Sequence, residues 1–194
     1  MHVAERVKSG EATWGPAMEV QLCYEIKTFL LAGHETSAAM LTWSVLEMSR
    51  IPKVLEGVRA EGARLHGARP IEEVPTRAEV ETMDYTLGTL KEALRKYSVV
   101  PVVTRMCTQD DELCGYKIPK GCWIMVSLQG VHNSWKDPKE FRPERFLKGG
   151  ELEQFDEETR PYMFLPFIVG PRNCLGQHLA LLEARVVLSY LAHK

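Results

Sequence analysis

From Ala17 to Ser49 the apolar and small residues recur at spacings of three and four: Ile26, Phe29/Leu30, Gly33, Ser37, Met40/Leu41, Ser44/Val45, Met48. That period marks one face of an α-helix. At ~1.5 Å per residue a helix over 17–49 is roughly 50 Å long, several times the usual length, so it crosses a whole domain. A chain built on such a rod is mainly α. The helical pattern resumes after Pro52, which suits a first turn, and runs to the glycines at 62–67. Polar residues 68–75 connect it to Thr76-x-x-Glu79, a capping box that opens a short helix. A further helix is expected over 85–97, although Gly88 inside it costs ~1 kcal/mol of propensity. Segments 102–107, 114–118 and 122–128 read as strands, the last two joined by Pro119-Lys-Gly121. Short turns and a mobile, charged loop over 148–160 lead to a last helix over 176–193, with Leu175, Leu179, Leu182 and Val186 on one face. Residues 1–16 read as a lead-in loop, and the class is mainly α with a small β portion.

The composition excludes several functions. With 45% apolar residues in 194, the chain can bury a core. A net charge of −2 makes no electrostatic case for nucleic-acid binding. The five cysteines, Cys23, Cys107, Cys114, Cys122 and Cys174, are odd in number and include no C-x-x-C, so neither a disulfide framework nor a zinc site is supported. Reduced thiols in a cytosol-facing protein fit better. No uninterrupted apolar run approaches the ~18 residues of a membrane span, so none is expected in this chain.

One cysteine stands apart. Phe164-Leu-Pro-Phe-Ile-Val-Gly-Pro-Arg-Asn-Cys-Leu-Gly176 places Cys174 between two glycines and two residues past Arg172, just before the last helix. A thiolate so held can be an axial ligand to haem iron, and its donation suits O–O cleavage. Glycine lets backbone approach a flat ligand, and an arginine can pair with a carboxylate. The helix that follows presents its positive dipole end and free N–H groups to such a thiolate. Upstream, Ala32-Gly33-His34-Glu35-Thr36 sits inside the long helix, Glu92 and Arg95 lie three apart on the 85–97 helix, and Phe141-Arg-Pro-Glu-Arg-Phe146 follows. Thr36 can bond to a carbonyl one turn back and distort the ladder. Alone, each has an ordinary reading: an incidental glycine, a solvated ion pair worth ~0–1 kcal/mol, a lone histidine hydrogen-bonded locally.

Together, and in this order, they resemble the cytochrome P-450 (haem-thiolate monooxygenase) family. Phe167, Gly170, Arg172, Cys174 and Gly176 fill its Phe-x-x-Gly-x-Arg-x-Cys-x-Gly motif, with its E-x-x-R and P-E-R-F upstream. The resemblance runs from about Glu19 to the end and implies a single partial domain over 1–194, the C-terminal haem-binding half of that fold. It implies haem b bound through Cys174 in the 167–176 loop, with Phe167, Gly170 and Gly176 forming the loop and Arg172 and Arg105 pairing with propionates. Around the groove helix at 17–49, Gly33 leaves room beside the backbone, while Thr36 and Glu35 relay protons to dioxygen. Glu92, Arg95 and Arg145 form a structural triad supporting the haem side. Residues 99–104 resemble a substrate-contacting loop whose apolar character suits a lipophilic substrate.

The implied reaction inserts one atom of O2 into that substrate, with electrons from NADPH through a reductase or ferredoxin. Alternatives are a truncated haem-binding fragment without activity, or a hydroperoxide isomerase or lyase, against which Thr36 argues. The parent is expected at the endoplasmic reticulum membrane, membrane-anchored on the cytosolic face, with a plastid as alternative. Three departures stand out. Ile168 occupies a position the family gives to a small or polar residue, and its bulk is expected to shift the loop near the sulfur. His132-Asn-Ser-Trp135 is shorter than the corresponding segment, which puts the adjacent loop geometry in question. Lys96-Tyr97-Ser98 replaces an apolar, proline-containing continuation, with little consequence expected.

Overall fold

In the computed structural model, residues 8–10, 14–67, 69–70 and 73–193 are described. The lead-in at 1–16 and the connector at 68–75 fall partly outside them. Helix α1, Pro16–Arg50, starts with proline in its first turn, where no intrahelical N–H is lost. It ends where Ile51 N donates to Glu47 O (2.9 Å) and Pro52 opens α2, Pro52–His66. The chain divides into two compact units, one ending at Ala38 and the other beginning at Ala39.

The second unit holds the core. Met40 and Met48 of α1 join Val54 and Val58 of α2, then Leu90, Ala93 and Leu94 of α4, Asp84–Tyr97. Ala184, Leu188 and Ala192 of the last helix, α8 (Gln177–His193), complete it. These three stand four apart, so α8 buries a narrow stripe of mostly small side chains. The expected face differs: Leu175 and Leu179 are exposed at 83% and 61%. The reason is backbone proximity to α2, where a Cβ on Gly62 would meet Ser189 O at 2.8 Å. Helix α3, Arg77–Glu81, opens with the expected capping box: Thr76 Oγ1 accepts from Glu79 N, and Glu79 Oε2 accepts from Thr76 N at 2.7 Å.

The strands pair differently from the expected order. β1 (Val102–Met106) is antiparallel to β4 (Trp123–Ser127), and β2 (Asp111–Leu113) to β3 (Tyr116–Ile118). Cys114, expected in a strand, makes the β2–β3 turn with Gly115, at φ of 52° and 83°. Two consecutive left-handed residues suit a tight hairpin. Charged Asp111-Glu-Leu113 offers no apolar alternation, which hid β2 from the sequence. Beyond β4 come α5 (Leu128–His132), a 3-10 turn (Pro143–Phe146), α6 (Glu151–Gln154) and α7 (Arg160–Met163). The 148–160 segment, expected to be mobile, holds α6 and is tied down. Thr159 N donates to Asp156 Oδ1 (3.0 Å), and Arg160 Nη2 donates to Phe155 O (2.9 Å).

Candidate functional site

Gly88 explains how α4 comes to carry a buried ion cluster. A Cβ there would lie 2.9 Å from Pro143 O, so the glycine lets the 3-10 turn press against the helix. That contact brings Arg145 to Glu92. Glu92, Arg95 and Arg145 are 0%, 0% and 3% exposed. Glu92 Oε2 accepts from Arg95 Nε (2.7 Å), while Oε1 accepts from Arg95 Nη2 (2.8 Å), Arg145 Nε (3.2 Å) and Arg142 N (3.0 Å). Arg95 also donates to the carbonyls of His132 (3.3 Å), Pro138 (3.0 Å) and Glu140 (3.1 Å). Only a guanidinium fork can serve so many acceptors at fixed angles.

Two arginines against one carboxylate would leave a buried positive charge. Arg145 Nη1 resolves this by donating to Glu151, while its Nη2 donates to Asp137 O (2.8 Å). Glu151 makes the buried set neutral, as stability of buried charge requires. No spacing in the sequence marks Glu151, which lies in the charged 148–160 stretch expected to be mobile.

His132 was missed as well. Its Nε2 accepts from Leu165 N (3.0 Å), which puts the ring proton on Nδ1, facing Ser98 Oγ at 2.7 Å. The neutral ring thus joins the end of α4 to the start of the cysteine loop. Burial, helped by the Arg95 charge, pushes its pKa down to about 4. Trp135 Nε1 donates to Met163 O (2.9 Å), and its ring packs on Phe146, Phe155 and Phe164. The short 132–135 segment therefore fastens the start of the loop through both of its rings. Its signal was the pair of buried-type rings, histidine and tryptophan, three apart. Lys96-Tyr97-Ser98 also has a consequence, contrary to expectation. Lys96 Nζ bonds buried Glu47 at 3.0 Å and the Tyr97 hydroxyl donates to the same oxygen, while Ser98 caps α4 in the left-handed region at φ 34°.

The loop closes on itself. Cys174 N donates to Phe167 O (2.9 Å), Asn173 N to Gly170 O (3.1 Å) and Ile168 N to Leu165 O (3.1 Å). Gly170 takes φ 84°, which a Cβ would strain. Ile168 takes φ 60°, an outlier for a β-branched side chain. The local conformation thus favours the small or polar residue expected there, while the Phe167–Cys174 bond still closes. The thiol of Cys174 is free and exposed. A Cβ on Gly176 would come within 4.0 Å of its sulfur, and α8 begins at the next residue. Arg172 and Arg105 are exposed, and Arg105 Nη1 donates to Thr104 O (2.8 Å).

In the first unit, Thr36 Oγ1 donates to Ala32 O at 2.6 Å, the one-turn-back bond anticipated, and α1 remains α-helical through it. Glu35 lies 3.4 Å from His34 Nδ1, and a Cβ on Gly33 would meet nothing within 4 Å among the described residues.

A family profile described as Cytochrome P450 matches residues 18–193. The chain belongs to the cytochrome P450 family. It is similar to cytochrome P450 4c21 of Blattella germanica, at 36% identity over 89% of this chain and 34% of that relative. Against the cytokinin hydroxylase of Arabidopsis thaliana it is 36% identical over 88% of this chain and 32% of the relative. The chain thus spans about a third of the length of these relatives. Among solved structures, the cytochrome P450DA heme domain matches with a TM-score of 0.76 and 33% identity, covering 88% of this chain and 37% of that one.

Haem is the group this family implies, and the donor chemistry fits it. Among the described residues no three His, Cys, Asp or Glu side chains converge as a metal-holding group. A porphyrin needs little else from the protein, since it brings four nitrogens and takes one strong axial donor. Cys174 offers that single donor on an open loop. No helix among the described residues is long and apolar enough to cross a membrane.

Proposed function

We propose that this chain supplies the haem-holding part of a monooxygenase that inserts one atom of O2 into a lipophilic substrate. The observation that carries the reading is Cys174: an exposed thiol on a loop closed by the Phe167–Cys174 bond, with a glycine beside the sulfur. When bound, haem supplies the iron centre at which dioxygen is reduced by two electrons, drawn from NADPH through a reductase or ferredoxin. Cys174 would hold the iron through its sulfur, and the hydrogen bond from Cys174 N to Phe167 O fixes the backbone that carries it. Arg172 and Arg105 would offer guanidinium forks to the propionate carboxylates. Glu92, Arg95 and Arg145 hold α4 against the 3-10 turn and contribute no proton.

Thr36 is the proton-handling hydroxyl in this reading. Its hydrogen is committed to Ala32 O, so both oxygen lone pairs remain available to accept hydrogen bonds from water. Glu35, exposed beside His34, serves as the nearby acid. The relative named a hydroxylase supports oxygen insertion as the reaction class. The test is to titrate the chain with haemin, reduce it and add CO. The red-shifted Soret band of thiolate ligation is expected for the parent chain and its loss for Cys174→Ser. An unchanged spectrum in that variant would sink the assignment.

A further inference from the structure

Two of the remaining cysteines face each other across the sheet. The β1–β4 register ends with Arg105 opposite Ile124 and Met106 opposite Trp123, and Cys107 and Cys122 are the residues just beyond that end. Cys107 N donates to Cys122 O (2.9 Å), whereas Cys107 O accepts from Gly121 N (2.8 Å). Gly121, at φ 85°, is the extra residue of a bulge, following a Pro119-Lys120 turn closed by Cys122 N to Pro119 O (3.1 Å). Cys107 therefore lies across from the Gly121–Cys122 step of the bulge and shares one ladder hydrogen bond with Cys122. Neighbouring strands lie about 4.8 Å apart, within the roughly 4.4–6.8 Å at Cα that a disulfide bridges. Both thiols are free, Cys122 is exposed and Cys107 partly so. Cys114 sits in the β2–β3 turn and has no cysteine opposite it.

We propose that Cys107 and Cys122 are a modification site, forming a reversible cross-strand disulfide when a low-molecular-weight disulfide such as oxidised glutathione is present. The Cys122 thiolate attacks one sulfur of the oxidant, breaking its S–S bond and releasing one glutathione thiolate. The Cys107 thiolate then attacks Cys122 Sγ, forming the Cys107–Cys122 bond and expelling the second glutathione. Two protein thiols are oxidised by two electrons, the small disulfide is reduced, and the two protons end on the two glutathione thiols. Alternation puts Cys107 on the same sheet face as Arg105. The bond would therefore staple β1 to β4 beside that arginine and close residues 107–122 into a ring.

The experiment incubates the full chain with oxidised glutathione, blocks remaining thiols, digests with trypsin and maps linked peptides by mass spectrometry. Cleavage after Arg105, Lys117, Lys120 and Lys136 puts Cys107 and Cys122 on separate peptides, 106–117 and 121–136. The expected result is a link between them, loss of two titratable thiols, and full reversal by a dithiol reductant. Cys114→Ser keeps the link, whereas Cys107→Ser and Cys122→Ser each abolish it, with circular dichroism showing the variants folded as the parent. A link that disappears in Cys114→Ser, or glutathione adducts with no internal link, would overturn the proposal.

Discussion

At the scale of single residues, His132 shows how much a buried ring can depend on its protonation state. Its Nε2 accepts from Leu165 N, and a second ring proton would turn that acceptor into a donor facing a donor. Unfolded, the ring titrates at 6.5, and folded at about 4. Between these values the unfolded chain binds more protons, so stability falls as pH drops from 6.5 through 4 and is fully present above 6.5. The loss approaches roughly 3 kcal/mol at the acid end. Urea midpoints measured across this window should fall with pH, and His132→Gln should flatten that fall while lowering stability at neutral pH. An unchanged slope in the variant would place the acid sensitivity elsewhere. Ile168 shows a different limit. Its identity marks it as unusual for its position, but the left-handed backbone that makes it so appears only in the structure.

At the scale of elements, α4 and the 3-10 turn form one structural unit. Propensity alone predicts that Gly88→Ala strengthens α4 by about 1 kcal/mol. The packing predicts the reverse, because the new methyl would meet Pro143 O at 2.9 Å. A net loss of about 1–3 kcal/mol is expected, read from chemical denaturation. Arg95→Met should cost about 3–5 kcal/mol, since it strips Glu92 of its bidentate partner and leaves three carbonyls without their donor. A cost near zero would mean the cluster is open to water. Much of this unit was legible in the sequence. The three-residue spacing of Glu92 and Arg95 puts them on one face, and Pro143-Glu-Arg-Phe146 supplied the third partner. Glu151 was not, because its role depends on a fold-back that no periodicity encodes. The same holds for β2, whose charged residues pair through backbone, and for α8, whose buried stripe of Ala184, Leu188 and Ala192 was masked by the exposed leucines.

At the scale of the whole molecule, the motifs specify the family more firmly than periodicity specifies the packing. The Phe167–Gly176 loop, the groove residues and the Glu–Arg–Arg set were each readable as residue types at fixed spacing. In this account the loop and the Glu–Arg–Arg set serve to present one sulfur to a porphyrin, and the groove residues handle protons. Exposed apolar side chains accompany that sulfur on the second unit, Leu175 and Leu179 among them, offering a lipophilic surface beside the loop. The central claim is that Cys174 is the iron ligand. Iron X-ray absorption fine structure on the haem-loaded chain tests it most directly. The account predicts one sulfur in the iron's first shell, absent in Cys174→Ser. A first shell of nitrogen and oxygen alone in the parent chain, or a sulfur that persists in the variant, would contradict it.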